Sequence, residues 1–200
     1  MKRFIFAVLS VVFIITAFSS PSWADMVVPQ SISQLAQADV AFMGTCVAAN
    51  SHLLGEGGIL VTTYRFSVQP QDVVKGDVGE IFIFNQWGAS KEMSAKLEMP
   101  YVIGMPVYEI GKEYTLFLTA PSKIGLRAPI GLGYGKFNIT RSDDGRVEAV
   151  NDFGNKSLFR DSNKLKGVSK AMSVAGLKGA AADGGPIEFN RLKTIIEQLQ

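Results

Sequence analysis

Cysteine and histidine are nearly absent: the 200-residue chain has one of each, Cys46 and His52. A single thiol forms no intramolecular disulfide and no thiolate cage, and a single imidazole excludes a multi-histidine metal centre. Any Ser/His/Asp or Cys/His triad would have to use His52. That residue reads as exposed in a glycine-rich loop from Asn50 to Gly58, a poor mount for a preorganised base. Cys46 shares a strand face with Val40, Phe42 and Gly44 and reads as an inert, buried small hydrophobe. A lipid anchor there would need a lipobox directly after an apolar leader, and Met43-Gly44-Thr45-Cys46 lies far downstream.

A charge surplus is missing too. The chain has 20 Lys and Arg against 18 Asp and Glu, and Lys2 and Arg3 belong to an expected leader, so the mature balance is about zero. That disfavours a sequence-independent grip on nucleic acid, which needs excess cations against phosphate. Long apolar runs occur only at the start. Lys2-Arg3, the apolar stretch Phe4 to Phe18 and the small residues up to Ala24 have the layout of a secretory signal peptide, too short to span a bilayer. Cleavage is expected after Ala24, giving a chain that starts at Asp25, is exported to the periplasm or beyond, and has no transmembrane anchor after cleavage. Functions that draw on cytosolic ATP, a nicotinamide pool or chromosomal DNA are disfavoured there. The roughly 176 mature residues can hide roughly 70% of their unfolded surface, enough for one domain without covalent staples.

What is present is mostly strand. Ser31 followed by Gln34 is a capping-box signal for a short helix ending near Gln37. Runs rich in β-branched and aromatic residues follow: Val40 to Val47, Ile59 to Val68, Ile81 to Phe84, Tyr114 to Thr119, Tyr134 to Thr140 and Arg146 to Val150. Asp143-Asp144-Gly145 reads as a hairpin turn. Six short strands without long intervening helices favour a mainly β, OB-like antiparallel barrel. Tyr114 to Leu118 is apolar on both faces, so that strand is expected to be central or covered by a helix. Leu192, Ile195, Ile196 and Leu199 give one apolar stripe to a C-terminal helix that packs on the barrel.

The expected organisation is a leader over 1–24, the barrel over 25–160, a Gly/Lys-rich linker over 161–185 and the helix over 186–200. Within the linker, Leu165, Val168, Met172 and Ala175 suggest a basic amphipathic helix for an anionic membrane or a partner. Gly167, Gly176 and Gly179 favour a solvated loop with a peripheral helical turn.

The stretches Ala38-Asp39-Val40-Ala41-Phe42-Met43-Gly44, Tyr64 to Val68 leading to Val73-Val74-Lys75-Gly76, and Gly111-Lys112-Glu113-Tyr114-Thr115-Leu116-Phe117 together resemble the netrin-like module typified by tissue inhibitors of metalloproteinases. The resemblance covers about residues 38–120 and implies a five-stranded OB-type barrel. Inhibitors of that family begin with a cysteine that chelates the protease zinc and carry a disulfide framework. The sequence Asp25-Met26-Val27-Val28-Pro29 and the lone Cys46 depart from both, so no inhibitory residue carries over.

Carboxylates are scattered. Asp72, Asp77, Glu92, Glu98, Glu109 and Glu113 leave room for a hydrolase pair assembled by topology. Gly131-Leu132-Gly133-Tyr134-Gly135 lacks the following helix that a phosphate loop needs, and reads as a bulged or closely packed strand start. Asn138-Ile139-Thr140 and Asn155-Lys156-Ser157 match the glycosylation sequon by chance.

The best working surface is the long stretch from Asn85 to Tyr108. Gln86, Trp87 and Tyr101 there, with Arg127 and Tyr134 in the next connection, are the candidate contacts for a protein or glycan partner in the cell envelope. The competing reading is that Trp87 and the methionines cap the barrel's open end. The expected function is a non-enzymatic exported binding module without cofactor or metal; the alternatives are a metalloproteinase-inhibitor-like module and a carboxylate-dependent envelope hydrolase.

Overall fold

The computed structural model describes residues 27–56, 58–177 and 184–200. The leader, its cleavage site at Ala24 and residues 178–183 of the Gly/Lys-rich segment lie outside the described residues.

The chain is mainly β. Seven antiparallel strands form one sheet: β1 (Val40–Leu54), β2 (Ile59–Lys75), β3 (Ile81–Trp87), β4 (Glu113–Leu118), β5 (Lys136–Arg141), β6 (Val147–Asn151) and β7 (Ile187–Glu188). Their order across the sheet is β3-β2-β1-β4-β5-β6-β7. Among the described residues, four α-helices accompany them: α1 (Ile32–Leu35), α2 (Lys91–Lys96), α3 (Lys166–Val174) and α4 (Phe189–Gln198). At α1 the Gln34 side chain accepts from the Ser31 N–H at 2.9 Å, which occupies a donor that the helix itself leaves free.

β1 is the hinge of the architecture. It pairs with β2 along its length and with β4 from Val40 to Thr45, with irregularities near Phe42 and Cys46. Bulges of this kind bend a strand and increase its twist. Successive β1 residues supply opposite sides: Val40, Phe42 and Cys46 enter an aromatic core with Tyr64, Phe66, Phe84, Tyr108 and Tyr114, while Ala41 and Met43 enter a core shared with the helices. β4 does the same, with Leu116 and Leu118 on the aromatic side and Phe117 on the helical side. This accounts for its two-sided apolar sequence: Tyr114 to Leu118 are all buried.

The sheet is not closed. Its curl shows as one parallel bridge, Asn85 to Leu126, in which the Arg127 N–H donates to the Asn85 carbonyl at 2.8 Å. Leu126 and Arg127 belong to a hairpin that leaves β4, held by the Thr119 N–H to the Ala128 carbonyl at 2.9 Å.

Two segments differ from the sequence expectation. β1 and β2 run on as a two-stranded ribbon beyond the expected ends, so His52 is a strand residue opposite Val61 rather than part of a loop. In the 161–185 segment, read from sequence as a solvated loop, α3 packs on α4 and buries Val168, Ala171 and Met172. The glycines do not interrupt it. Gly167 lies in the first turn, and Gly176, at φ +71°, stands just beyond the C-cap Ala175, where a left-handed residue ends a helix favourably. Of the apolar face that would lie on a membrane, Val168 and Met172 are therefore spent inside the fold, while Leu165 stays exposed. Among the described residues, no helix is long and apolar enough to cross a membrane.

Candidate functional site

β3 is an edge strand, and its alternation separates two kinds of residue. Phe82, Phe84 and Gln86 point inward, with Phe84 and Gln86 buried. Ile81, Ile83 and Trp87 point outward and are 44%, 56% and 52% exposed. The backbone alternates as well. The Glu80 carbonyl and the Gly88 N–H both bond to β2, so the even-numbered residues address β2 and the odd-numbered ones address the free edge. Among the described residues, the one backbone bond on that free side is the contact from Arg127 to Asn85. The backbone groups of Ile81 and Ile83 stay open beside their exposed apolar side chains. Neither charge nor proline interrupts Ile81–Trp87, the devices that usually blunt an exposed edge.

The five candidate contacts divide clearly. Trp87 and Tyr101 are surface residues, 52% and 41% exposed, and the Gly88 backbone lies against Val102, which sets their two segments side by side. Gln86 is buried. Its Nε2 donates to the Pro106 carbonyl at 2.6 Å and its Oε1 accepts from the Tyr108 hydroxyl at 3.1 Å, so it fastens the following loop to the barrel-like curl. Arg127 donates to Asp39 Oδ2 at 2.6 Å and to the Thr119 carbonyl at 2.8 Å, with Phe82 beneath it. Tyr134 is buried and stacks on Phe153 with centroids 4.0 Å apart. Gln86, Arg127 and Tyr134 therefore hold the structure together, and of the five only Trp87 and Tyr101 are exposed.

The sequence did not single out Tyr108, although its ring lies 4.6 Å from Tyr64 at a right angle and touches Phe66, Phe84 and Tyr114. Burial pushes the Tyr64 phenol up to about 12 and the Tyr108 phenol well above its ordinary range, so both stay protonated. The stretch between β3 and Tyr108 also contains α2, whose N-cap Ser90 accepts from the Met93 N–H at 3.2 Å. That serine, with Glu92 in the first turn and Lys96 in the last, supplies its local helix signals.

A second feature joins residues from several strands. A polar recess of about 410 Å³ is lined by Thr45, Ser67, Gln69, Asp72, Glu113 and Arg141, among others. Arg141 holds both Glu113 oxygens, Nε to Oε2 at 2.7 Å and Nη2 to Oε1 at 2.8 Å. This bidentate contact lowers the Glu113 carboxyl. Asp72 moves the other way: partial burial raises it, against the pull of Arg141 and Lys193. Among the described residues Asp72 has no hydrogen bond or ion pair within 4.0 Å.

The remaining motifs have structural accounts. A Cβ on Gly135 would meet the Ile130 carbonyl at 2.6 Å, so that glycine-rich run is a close backbone approach leading into β5. Asn155 of the second sequon is buried and donates to the Ala149 and Gly185 carbonyls at 2.9 and 2.7 Å, leaving no amide free for a glycan. Cys46 is fully buried in the aromatic core, and burial raises its thiol. His52 is exposed, its ring nitrogen 3.4 Å from the Asn50 carbonyl. No set of three or more His, Cys, Asp or Glu side chains comes together as a metal site among the described residues.

A scan against family models, a search of curated proteins and a search of solved structures each found no match to this chain.

Proposed function

We propose that this protein is an exported, non-enzymatic binding module that takes hold of a protein partner in the cell envelope along the β3 edge and the neighbouring Trp87 and Tyr101 surface. The observation that carries this reading is the outward row Ile81, Ile83 and Trp87 on a strand whose free edge carries open backbone groups. An extended segment of a partner could add to such an edge, with main-chain hydrogen bonds supplying affinity and alternate side chains supplying selectivity. Tyr101 and Trp87 add rigid, amphipathic contact area of the kind enriched at binding hot spots. The OB-like, netrin-like reading belongs to the same proposal: the curl of β1 to β4 and the bridge to Leu126 support it. Export rests on the leader sequence.

The hydrolase alternative needs two working carboxylates. In the recess, Glu113 has both oxygens engaged by Arg141, leaving Asp72 as the free group. The inhibitor alternative lacks the starting cysteine by which that family meets zinc, since the expected mature chain begins Asp25-Met26-Val27-Val28-Pro29.

Capture of envelope proteins by the immobilised mature chain, followed by identification of the retained partner, tests the proposal. Ile83→Lys and Trp87→Ala are expected to abolish or strongly reduce retention of one and the same partner. Retention unchanged in both variants would refute it.

A further inference from the structure

We propose that the recess around Asp72 is a binding site for an organic cation that donates N–H, either a primary ammonium or a guanidinium group. Its volume, about 410 Å³, suits a group the size of a long basic side chain. Charge decides the sign of the ligand. Arg141 and Glu113 neutralise each other through two short bonds, so the arginine is not available to an anion. Asp72 remains as a half-buried carboxylate without a donor among the described residues.

The other cation near it is also committed. Lys193 Nζ donates to the Gln71 carbonyl at 2.6 Å and lies 3.9 Å from Glu197. A carboxylate drawn partly out of water without a donor is held at a cost, which an arriving ammonium or guanidinium would offset. Burial raises the Asp72 carboxyl, in keeping with that unmet demand. Gln69, Gln71 and Asn190 also line the recess and offer amide oxygens for the remaining N–H groups of a cation.

Position strengthens the case. Ser67 lines the recess and stands opposite Ile81 of β3 on one side and Thr45 of β1 on the other, and Thr45 stands opposite Glu113. One row across the sheet therefore joins the recess to the outward apolar face of β3, within reach of a basic side chain on a segment lying there. The cation site does not require that edge to be used, because a small free amine fits it equally well.

The test is titration of the mature chain, followed by NMR or calorimetry, with n-butylammonium, with the peptide acetyl-Gly-Lys-Gly-amide, and with butanol and acetate as neutral and anionic controls. Saturable binding of the two cations and none of the controls is expected. Tighter binding of the peptide would identify a partner's basic side chain as the natural occupant; tighter binding of butylammonium would identify a free amine. Asp72→Asn, which breaks no hydrogen bond or ion pair among the described residues and should melt no lower than the parent at neutral pH, is expected to weaken cation binding roughly tenfold or more. Lys193→Met removes a neighbouring positive charge and is expected to tighten it. Equal affinity for butanol and butylammonium, no saturable cation binding at tens of millimolar, or unchanged affinity in Asp72→Asn would each overturn the proposal.

Discussion

The outer face of the sheet is covered over one half and bare over the other. Across β4 to β7 it carries α1, α3 and α4, with Phe117, Phe137, Ala149, Leu158, Leu192, Ile195 and Ile196 sealed between them. Across β2 and β3 the same face carries Arg65, Ile81, Ile83 and Trp87 in the open. The recess lies at the seam, where Phe189 and Asn190 at the start of α4 meet β1 and β2. The difference separates residues that must be apolar to hold the fold from residues that are apolar without any internal partner. Only the second kind calls for a functional explanation.

The largest effect should fall on the covered half. Ile195→Ala empties a fully buried position against the sheet and is expected to cost about 2–5 kcal/mol, measured by urea unfolding. A loss near zero would mean that the helices only decorate the sheet, and the contrast would fail. Next comes Asn155, which clamps β6 to the start of β7 and sits at φ +59°. Asn155→Ala orphans the Ala149 and Gly185 carbonyls and the Asn151 N–H, at roughly 1–3 kcal/mol. Asn155→Gly keeps the backbone freedom but not the bonds, so a similar loss in both variants would locate the effect in the hydrogen bonds.

At the seam, pH is the discriminating variable. Glu113 is held below its ordinary value of 4.5 by Arg141, so its contribution is complete above that value and disappears as pH falls through the depressed one. Asp72 has the opposite sign: its carboxyl is raised by burial, so protonation on acidification favours the folded state. Melts between pH 7 and pH 3 should therefore show a shallower acid loss in Glu113→Gln than in the parent, and a steeper one in Asp72→Asn. Identical slopes in all three would remove the electrostatic account of the recess. The smallest stability change is expected on the bare half. Ile83→Lys should stay within about 0.5 kcal/mol of the parent while losing partner capture, and a strongly destabilised variant would mean that the row is internal packing after all.

Local signals in the sequence were the dependable ones. The Ser31/Gln34 cap, the turn at Gly145 with φ +83° and the C-terminal stripe each involve residues a few positions apart, and each corresponds to an element of the fold. Large aromatics in an aperiodic stretch drew attention to Trp87 and Tyr101, which are exposed, but Gln86 from the same stretch and Arg127 and Tyr134 from the next connection are engaged within the fold. Nothing in single-chain order distinguishes an amide that fastens Tyr108 from one that faces solvent. The glycines around α3 misled because composition counts them without noting that Gly176 stands at a helix end. The recess was not readable at all: Asp72, Glu113 and Arg141 come from three strands, and only the register from β2 through β1 and β4 to β5 brings them together.

The ribbon of β1 and β2 closes over a turn of a few residues between Leu54 and Ile59, whereas α4 meets its partners only after most of the chain has been made. Loop closure favours the near contact, so the order of events in refolding should follow the order of distances along the chain. Substitutions along that ribbon are expected to slow folding, and those in α4 to hasten unfolding, which stopped-flow chevrons would resolve. The bare face of β2 and β3 would thus take shape early, and the helices that cover the other half would arrive last.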